Sequence, residues 1–258
     1  MDLTSKVAIV TGGASGLGLA ATQALVEKGC RVCVFDFNQA MGEQLETQFG
    51  KDKVTFMLVN VTDEDSVEKA LQLSIKEYGA VHVVLNCAGI GPPAKVLNRE
   101  GEPLPLNDFK QIVDVNLFGT FNVLSKAASV MAKQSPINSD GARGVIVNVA
   151  SVAAFDGQIG QPAYAASKAG IVGMALPIAR EFARYGIRVN TIAPGLFRTP
   201  LAESLGDEVM QSLGESVEFP KRLGDPKEFA QLVVSIAEND YLNGEVIRLD
   251  GAIRMTAK

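Results

Sequence analysis

Seven short apolar, β-branched runs recur along the chain, separated by segments of helical periodicity, and this alternation limits the fold more than any other feature. The runs cover 7–11, 31–35, 55–60, 81–86, 144–150, 188–193 and 245–249. Amphipathic stretches at 17–28, 66–78, 106–133, 163–185 and 226–237 lie between them. A strand with one wet face alternates apolar with polar residues, whereas these runs are apolar almost throughout, so both faces must be covered. Helices between successive strands supply that cover and leave the strands parallel. The expected architecture is α/β and doubly wound, with about seven parallel strands and about six helices on the two faces. Two stretches read as loops: 91–107, with Pro92, Pro93, Pro103 and Pro105, and 133–144, with Pro136, Asn138, Asp140 and Gly141. No repeat, low-complexity tract or linker interrupts the pattern, so residues 1–258 are expected to form one domain.

Composition narrows the classes of function. Of 258 residues, 47% are hydrophobic and 21% charged, enough apolar mass for a complete core. A net charge of −5 argues against a phosphate-backbone grip, so nucleic acid is not an expected partner. No apolar stretch approaches the ~18 residues a membrane span requires. The opening MDLTSKVAIVTGG shows no basic-then-apolar leader, so a soluble, cytoplasmic protein is expected. Cys30, Cys33 and Cys87 suit a reducing compartment. Cys30 and Cys33 have C-x-x-C spacing, but on a strand residues three apart point to opposite faces and cannot share a metal or form a redox pair. His82 is the single histidine and opens a strand, away from the end where ligands gather. A Ser-His-Asp hydrolase and a histidine zinc site therefore lack parts, and no metal is expected.

The first strand runs into Thr11-Gly12-Gly13-Ala14-Ser15-Gly16-Leu17-Gly18, which opens a helix. Glycines let backbone approach a pyrophosphate closely, and the helix N-terminus offers free N–H groups and partial positive charge. The acid this Rossmann-type arrangement calls for is Asp36, 18 residues beyond Gly18 at the end of the next strand. A carboxylate there accepts from both ribose hydroxyls and repels a 2′-phosphate. With Phe37 and Ser15 as neighbours, no cation stands ready for that phosphate, so NAD is expected as the cofactor rather than NADP. Asn60-Val61-Thr62 and Asn86-Cys87-Ala88-Gly89 end the third and fourth strands and should face the same cofactor, with small residues at Ala88 and Gly89 admitting a flat ring. Thr62 with Asp65 reads as a capping pair for the following helix, and the acidic run 63–65 as ordinary helix-start stabilisation.

Ser151 stands at the end of the fifth strand, Tyr164 follows 13 residues later, and Lys168 four residues after that. On a helix Tyr164 and Lys168 share a face one turn apart. A phenol of pKa near ~10 is a poor base, and an adjacent ammonium is expected to acidify it. Tyr164 then takes the alcohol proton while Ser151 holds the substrate oxygen.

These residues together resemble the short-chain dehydrogenase/reductase family over essentially the whole chain: TGGASGLG at 11–18, NCAG at 86–89, Asn116 in DVNLFGTF, Ser151, YAASK at 164–168, and Pro194-Gly195 with Thr199. The resemblance implies an NAD-dependent oxidoreductase interconverting a secondary alcohol and a ketone. Asn116 would support a proton relay through water to Lys168, and Lys168 would also hold the nicotinamide ribose. Pro194, Gly195, Phe197 and Thr199 would border the nicotinamide, and Asn60, where the family usually has aspartate, would serve adenine recognition. The segments VNVASVAAFDGQIGQPAYAASKAGIVGMALPIAR, IAPGLFRTPL and RLGDP…LNGEVIRLDGAIRM are similar to the branch of the family acting on 3-hydroxyacyl-CoA thioesters and some steroids, as homotetramers. By that likeness the reaction is 3-hydroxyacyl-CoA to 3-oxoacyl-CoA, with Phe155, Gln158, Gln161 and residues 201–219 around the acyl chain. Lys95 and Arg99 are candidates to approach CoA phosphates, with a solvated loop as the alternative. A hydroxysteroid or other hydrophobic secondary-alcohol dehydrogenase stays open, as does a non-catalytic NAD-binding scaffold.

Overall fold

The computed structural model describes residues 1–200 and 206–257. Its strands are β1 (Val7–Thr11), β2 (Arg31–Asp36), β3 (Val54–Leu58), β4 (Val83–Asn86), β5 (Gly144–Val149), β6 (Ile187–Pro194) and β7 (Val246–Leu249). They form one seven-stranded sheet in the order β3-β2-β1-β4-β5-β6-β7, with every pairing parallel. The direction of winding reverses between β1 and β4, which opens a crevice beyond the carboxyl ends of those strands.

The apolar runs explain the two layers. Every residue of β1, β4, β5 and β6 is buried. Alternate side chains go to opposite faces. Ala8, Val10, Leu85 and Val147 pack with α1 (Gly16–Glu27) and α8 (Pro226–Glu238) through Ala21, Leu25, Phe229 and Val233. Val7, Ile9, Val84 and Ile146 pack instead with α3 (Glu64–Tyr78), α5 (Gly119–Met131) and α6 (Pro162–Phe182) through Val67, Leu124, Met131 and Ile178. Phe229 is fully buried and meets Phe197 edge-on at 6.4 Å, so truncating it to alanine should cost ~3–5 kcal/mol. Cys30 and Cys33 fall in the two opposite layers, as their spacing requires, and burial pushes both thiols up to about 12.

Three local readings need correction. Helix α2 (Gln39–Phe49) has no counterpart in the sequence reading, because it buries only Gly42 and Leu45 and so shows little apolar periodicity; Asn38 starts it by accepting from the Met41 N–H. The expected helix over 106–133 is interrupted: α4 (Leu106–Val113) passes through a π turn (Asp114–Phe118) into α5. The cap of α3 is Asp63, which accepts from the Asp65 and Ser66 N–H groups, while Thr62 donates its hydroxyl to Asn60 Oδ1. A short helix, α7 (Asp207–Glu215), precedes α8. No helix among the described residues is long and apolar enough to cross a membrane.

Candidate active site

The carboxyl ends of the central strands open onto a cleft of about 1220 Å³. Its nucleotide half follows from the glycines. Gly12 (φ 63°) and Gly16 (φ 51°) occupy the left-handed region, where a side chain is strained. A Cβ on Gly18 would stand 2.0 Å from the Gly12 carbonyl oxygen, so only glycine lets the helix pack on the turn. Helix α1 starts at Ser15 with no side-chain cap and no acid in its first turn, whereas α2, α3 and α8 are capped by Asn38, Asp63 and Asp225. Its first N–H groups and partial positive charge thus remain for an anion. Asp36 receives the Ala14 N–H at 3.0 Å and the Asn38 N–H at 2.9 Å, which fixes its carboxylate beside the glycine turn.

Gly12, Ser15, Gly16, Leu17 and Gly18 all lie on the cleft wall, as do Asp36, Asn60 and Val61. Cys87, Ala88 and Gly89 line it between them and the chemical half. Asn86 does not: it is 2% exposed, and its Nδ2 donates to Asn148 Oδ1 on the neighbouring strand. The alternation of the strand directs its side chain to the layer that holds α5 and not onto the cleft wall. Thr11, unassigned from sequence, anchors the following turn, its Oγ accepting from the Cys87 and Ala88 N–H groups at 3.0 Å each. A backbone approach this tight, a free N-terminus of α1 and a carboxylate at the ribose end together fit a dinucleotide.

In the chemical half, Ser151, Tyr164, Lys168, Gln158 and Gln161 line the same cleft, as do Pro194, Gly195, Phe197 and Thr199. Ser151 Oγ accepts from the Ala153 N–H at 3.1 Å, which leaves the hydroxyl proton to be donated. Tyr164 and Lys168 sit one turn apart on α6, with Nζ 5.7 Å from the ring centroid and donated to the Val149 carbonyl at 2.8 Å. The tyrosine ring lies against Gly91, where a Cβ would stand 2.9 Å from Cδ2. Asn116 is fully buried and off the cleft wall, directly behind it. Its carboxamide exchanges two 2.8 Å hydrogen bonds with the Ile90 main chain and donates to Ser167 Oγ, which in turn donates to the Tyr164 carbonyl. A Cβ on Gly89 would stand 3.1 Å from Asn116 Oδ1 and 3.4 Å from Lys168 Nζ, so both groups converge on that glycine. The π turn carries Asn116, and its changed periodicity is what aims the side chain at residue 90.

The electrostatics differ from the expectation. Burial raises the Tyr164 phenol above its ordinary value, a hydrogen bond with Ser151 working against it. Burial also pulls Lys168 down to about 8. Burial at the phenol thus opposes the acidification expected from the neighbouring ammonium, which itself keeps its charge only below about pH 8. Burial also holds the Cys87 thiol at about 11.

Other residues singled out from the sequence stand away from the cleft wall. Lys95 and Arg99 are exposed and off the cleft wall, consistent with the solvated-loop alternative. Phe155 lies outside the wall, its ring beneath the Arg248 guanidinium at 5.1 Å. Of the stretch 201–219, residues 201–205 lie outside the described residues, Leu213 reaches the wall, and Phe219 is 82% exposed. His82 is remote, its Nδ1 accepting from the Val7 N–H, and burial lowers it to about 4. Among the described residues no cluster of metal-ligating side chains exists. Met255 and Leu223 also line the cleft; nothing local in the sequence marks them, since tertiary folding alone brings them there.

A family model described as short chain dehydrogenase matches residues 6–209. The chain is 53% identical over 250 residues to the human protein named 3-hydroxyacyl-CoA dehydrogenase type-2, covering 96% of this chain and 95% of that one. To the 3-oxoacyl-[acyl-carrier-protein] reductase FabG of Thermotoga maritima it is 35% identical over 257 residues, 98% of this chain and 99% of the other. A crystal structure of 3-hydroxyacyl-CoA dehydrogenase type-2 from Mycobacterium avium superposes with a TM-score of 0.94 at 39% identity, covering all of both chains.

Proposed function

The chain belongs to the short-chain dehydrogenase family, and from that premise we propose that it interconverts a 3-hydroxyacyl-CoA and its 3-oxoacyl-CoA with NAD. The observation that carries this reading is the convergence of Ser151, Tyr164 and Lys168 in one cleft with the glycine turn and Asp36. The acyl-CoA substrate draws its support from the near-complete match to relatives named for that activity.

The chain's own groups divide the work. Ser151, its oxygen fixed by the Ala153 N–H, donates to the substrate carbonyl oxygen and orients it. Tyr164 gives its proton to that oxygen in reduction, leaving a phenolate, and in oxidation the phenolate takes the proton of the alcohol. Lys168, an ammonium below about pH 8, steadies negative charge developing on the phenol oxygen. Asn116 is a positioning residue that locks residue 90 and, through Ser167, the Tyr164 backbone. Asp36 selects the unphosphorylated ribose. A bound nicotinamide supplies or accepts the hydride.

A hydroxysteroid or other hydrophobic secondary alcohol is the second reading, favoured by the apolar wall of Leu196, Leu213, Leu223 and Met255. On either substrate the proposal includes a homotetramer, for which the exposed Phe118, Phe121 and Leu176 offer apolar surface. The test is NADH-dependent reduction of acetoacetyl-CoA, a 2-methyl-3-oxoacyl-CoA and a steroid ketone, compared by kcat/KM. The highest value on an acyl-CoA supports the proposal. Turnover of the steroid alone replaces it with the second reading, and no turnover of any substrate leaves a cofactor-binding scaffold.

A further inference from the structure

Beyond the groups that perform the chemistry, the cleft has a wall that belongs to none of the motifs. Met255 lines it together with Gln158 and Leu213, although it follows β7 and is distant from both in sequence. We propose that the segment 250–257 is the substrate-selecting wall of the active site, with Met255 its contact residue and Arg248 the positioning residue that clamps it. The proposal rests on the oxidoreductase reading above and adds which residues choose among substrates.

Arg248 is the centre of the clamp. It reaches back from β7 to Asp156 in the turn after β5, its Nη2 donating to Oδ2 at 2.7 Å. It holds the following segment as well, Nε donating to Asp250 Oδ2 at 2.7 Å and Nη2 to the Ile253 carbonyl at 3.0 Å. The guanidinium carbon lies over the Phe155 ring. A planar fork of five donors can satisfy these partners at once, which a lysine cannot. Two further bonds close the same gap: Gln158 Nε2 donates to the Thr256 carbonyl at 3.2 Å, and the Ile159 N–H to the Ala257 carbonyl at 3.0 Å.

The segment also braces the other side of the cleft mouth. A Cβ on Gly251 would stand 2.5 Å from Val217 Cγ1, and the Phe219 N–H donates to the Gly251 carbonyl. Gly251 (φ 57°) and Ala252 (φ 64°) turn the chain here in the left-handed region, and Asp250 Oδ1 accepts from the Ala252 N–H. Ile253 is 2% exposed and anchors the turn. Between the Gln158 turn and the stretch after α7, the segment thus sets the width of the pocket, and Met255 is its apolar, conformationally adaptable surface. The complementary ligand is the hydrocarbon part of the substrate, the acyl chain on the present reading.

The experiment compares a medium-chain 3-oxoacyl-CoA with acetoacetyl-CoA in wild type, Met255→Ala, Met255→Phe and Arg248→Lys, with NADH affinity by fluorescence as the check on fold. Met255→Phe should lower the medium-to-short ratio of kcat/KM about tenfold, mainly through KM, and Met255→Ala should raise it severalfold. Arg248→Lys should raise KM for the medium chain about tenfold with kcat and NADH affinity retained, because the charge stays while the fork is lost. An unchanged ratio in both Met255 variants overturns the proposal, as does an Arg248→Lys loss that is equal for both chain lengths. If wild type reduces no acyl-CoA, the acyl-CoA reading fails, and the same ratio measured between a large and a small ketone still decides the inference.

Discussion

Replacing Lys168 by methionine keeps most of the length of the side chain and removes its charge from a position 5.7 Å from the Tyr164 ring centroid. At an effective dielectric near ~20, a unit charge roughly 5–6 Å from a phenolate oxygen is worth ~3 kcal/mol, or roughly 100-fold in rate. The effect exists only while the lysine is protonated, and burial places its pKa at about 8. At pH ~7 the variant should therefore lose roughly 100-fold in kcat/KM for alcohol oxidation, and the deficit should shrink as pH rises well past 8, where wild type has surrendered the same charge. Stability should move differently. With a native pKa near 8 and an ordinary value of 10.5, the unfolded chain binds more protons between them, so wild-type stability climbs with pH through that window and the burial penalty is full below it. The variant lacks that slope and need not unfold, although the Val149 carbonyl loses its donor. NADH absorbance assays and urea titrations across the pH range read both quantities. A deficit below about threefold at neutral pH, or one that stays constant across the range, would refute the electrostatic argument.

Asp36→Ser should shift the NAD-to-NADP ratio of kcat/KM toward NADP by at least about tenfold, since the 2′-phosphate no longer meets a carboxylate; an unmoved ratio would show another group selects the ribose. Gly18→Ala should weaken NADH binding by at least about tenfold, because its Cβ would overlap the Gly12 carbonyl at 2.0 Å, with cofactor fluorescence titration as the check. His82, lowered to about 4, stays neutral in the folded chain while the unfolded chain takes up its proton below the ordinary 6.5, so its share of stability is lost as pH falls from 6.5 toward 4. After discounting for the partly exposed ring that share is ~1–2 kcal/mol, and His82→Gln should lose correspondingly less on acidification in urea titrations.

The parts of the fold and site that sequence reveals are those whose cause is local. β1, β4, β5 and β6 announce themselves because strands covered on both faces are apolar at every position. Tyr164 and Lys168 are legible because their spacing and the helix pitch together fix a shared face. Helix α2 is hidden because a helix burying so little carries almost no periodic signal. Asn86 shows what a strand end alone leaves open, since the strand's alternation decides which face its side chain takes. The ionisation of Tyr164 needs burial as well as neighbours, and the sequence names only the neighbours. Met255 reaches the cleft through Arg248, Asp156 and Gln158, contacts spread over more of the chain than any spacing rule covers.

The central claim is that the Tyr164 hydroxyl is the proton donor and acceptor of the reaction, and Tyr164→Phe tests it with the loss of a single oxygen. The ring keeps its place against Gly91, so the cleft should persist. Turnover measured by NADH absorbance should fall by about 100-fold or more while NADH affinity by fluorescence stays within about twofold of wild type. Turnover near the wild-type value would contradict the account, and so would a fall fully explained by weaker NADH binding.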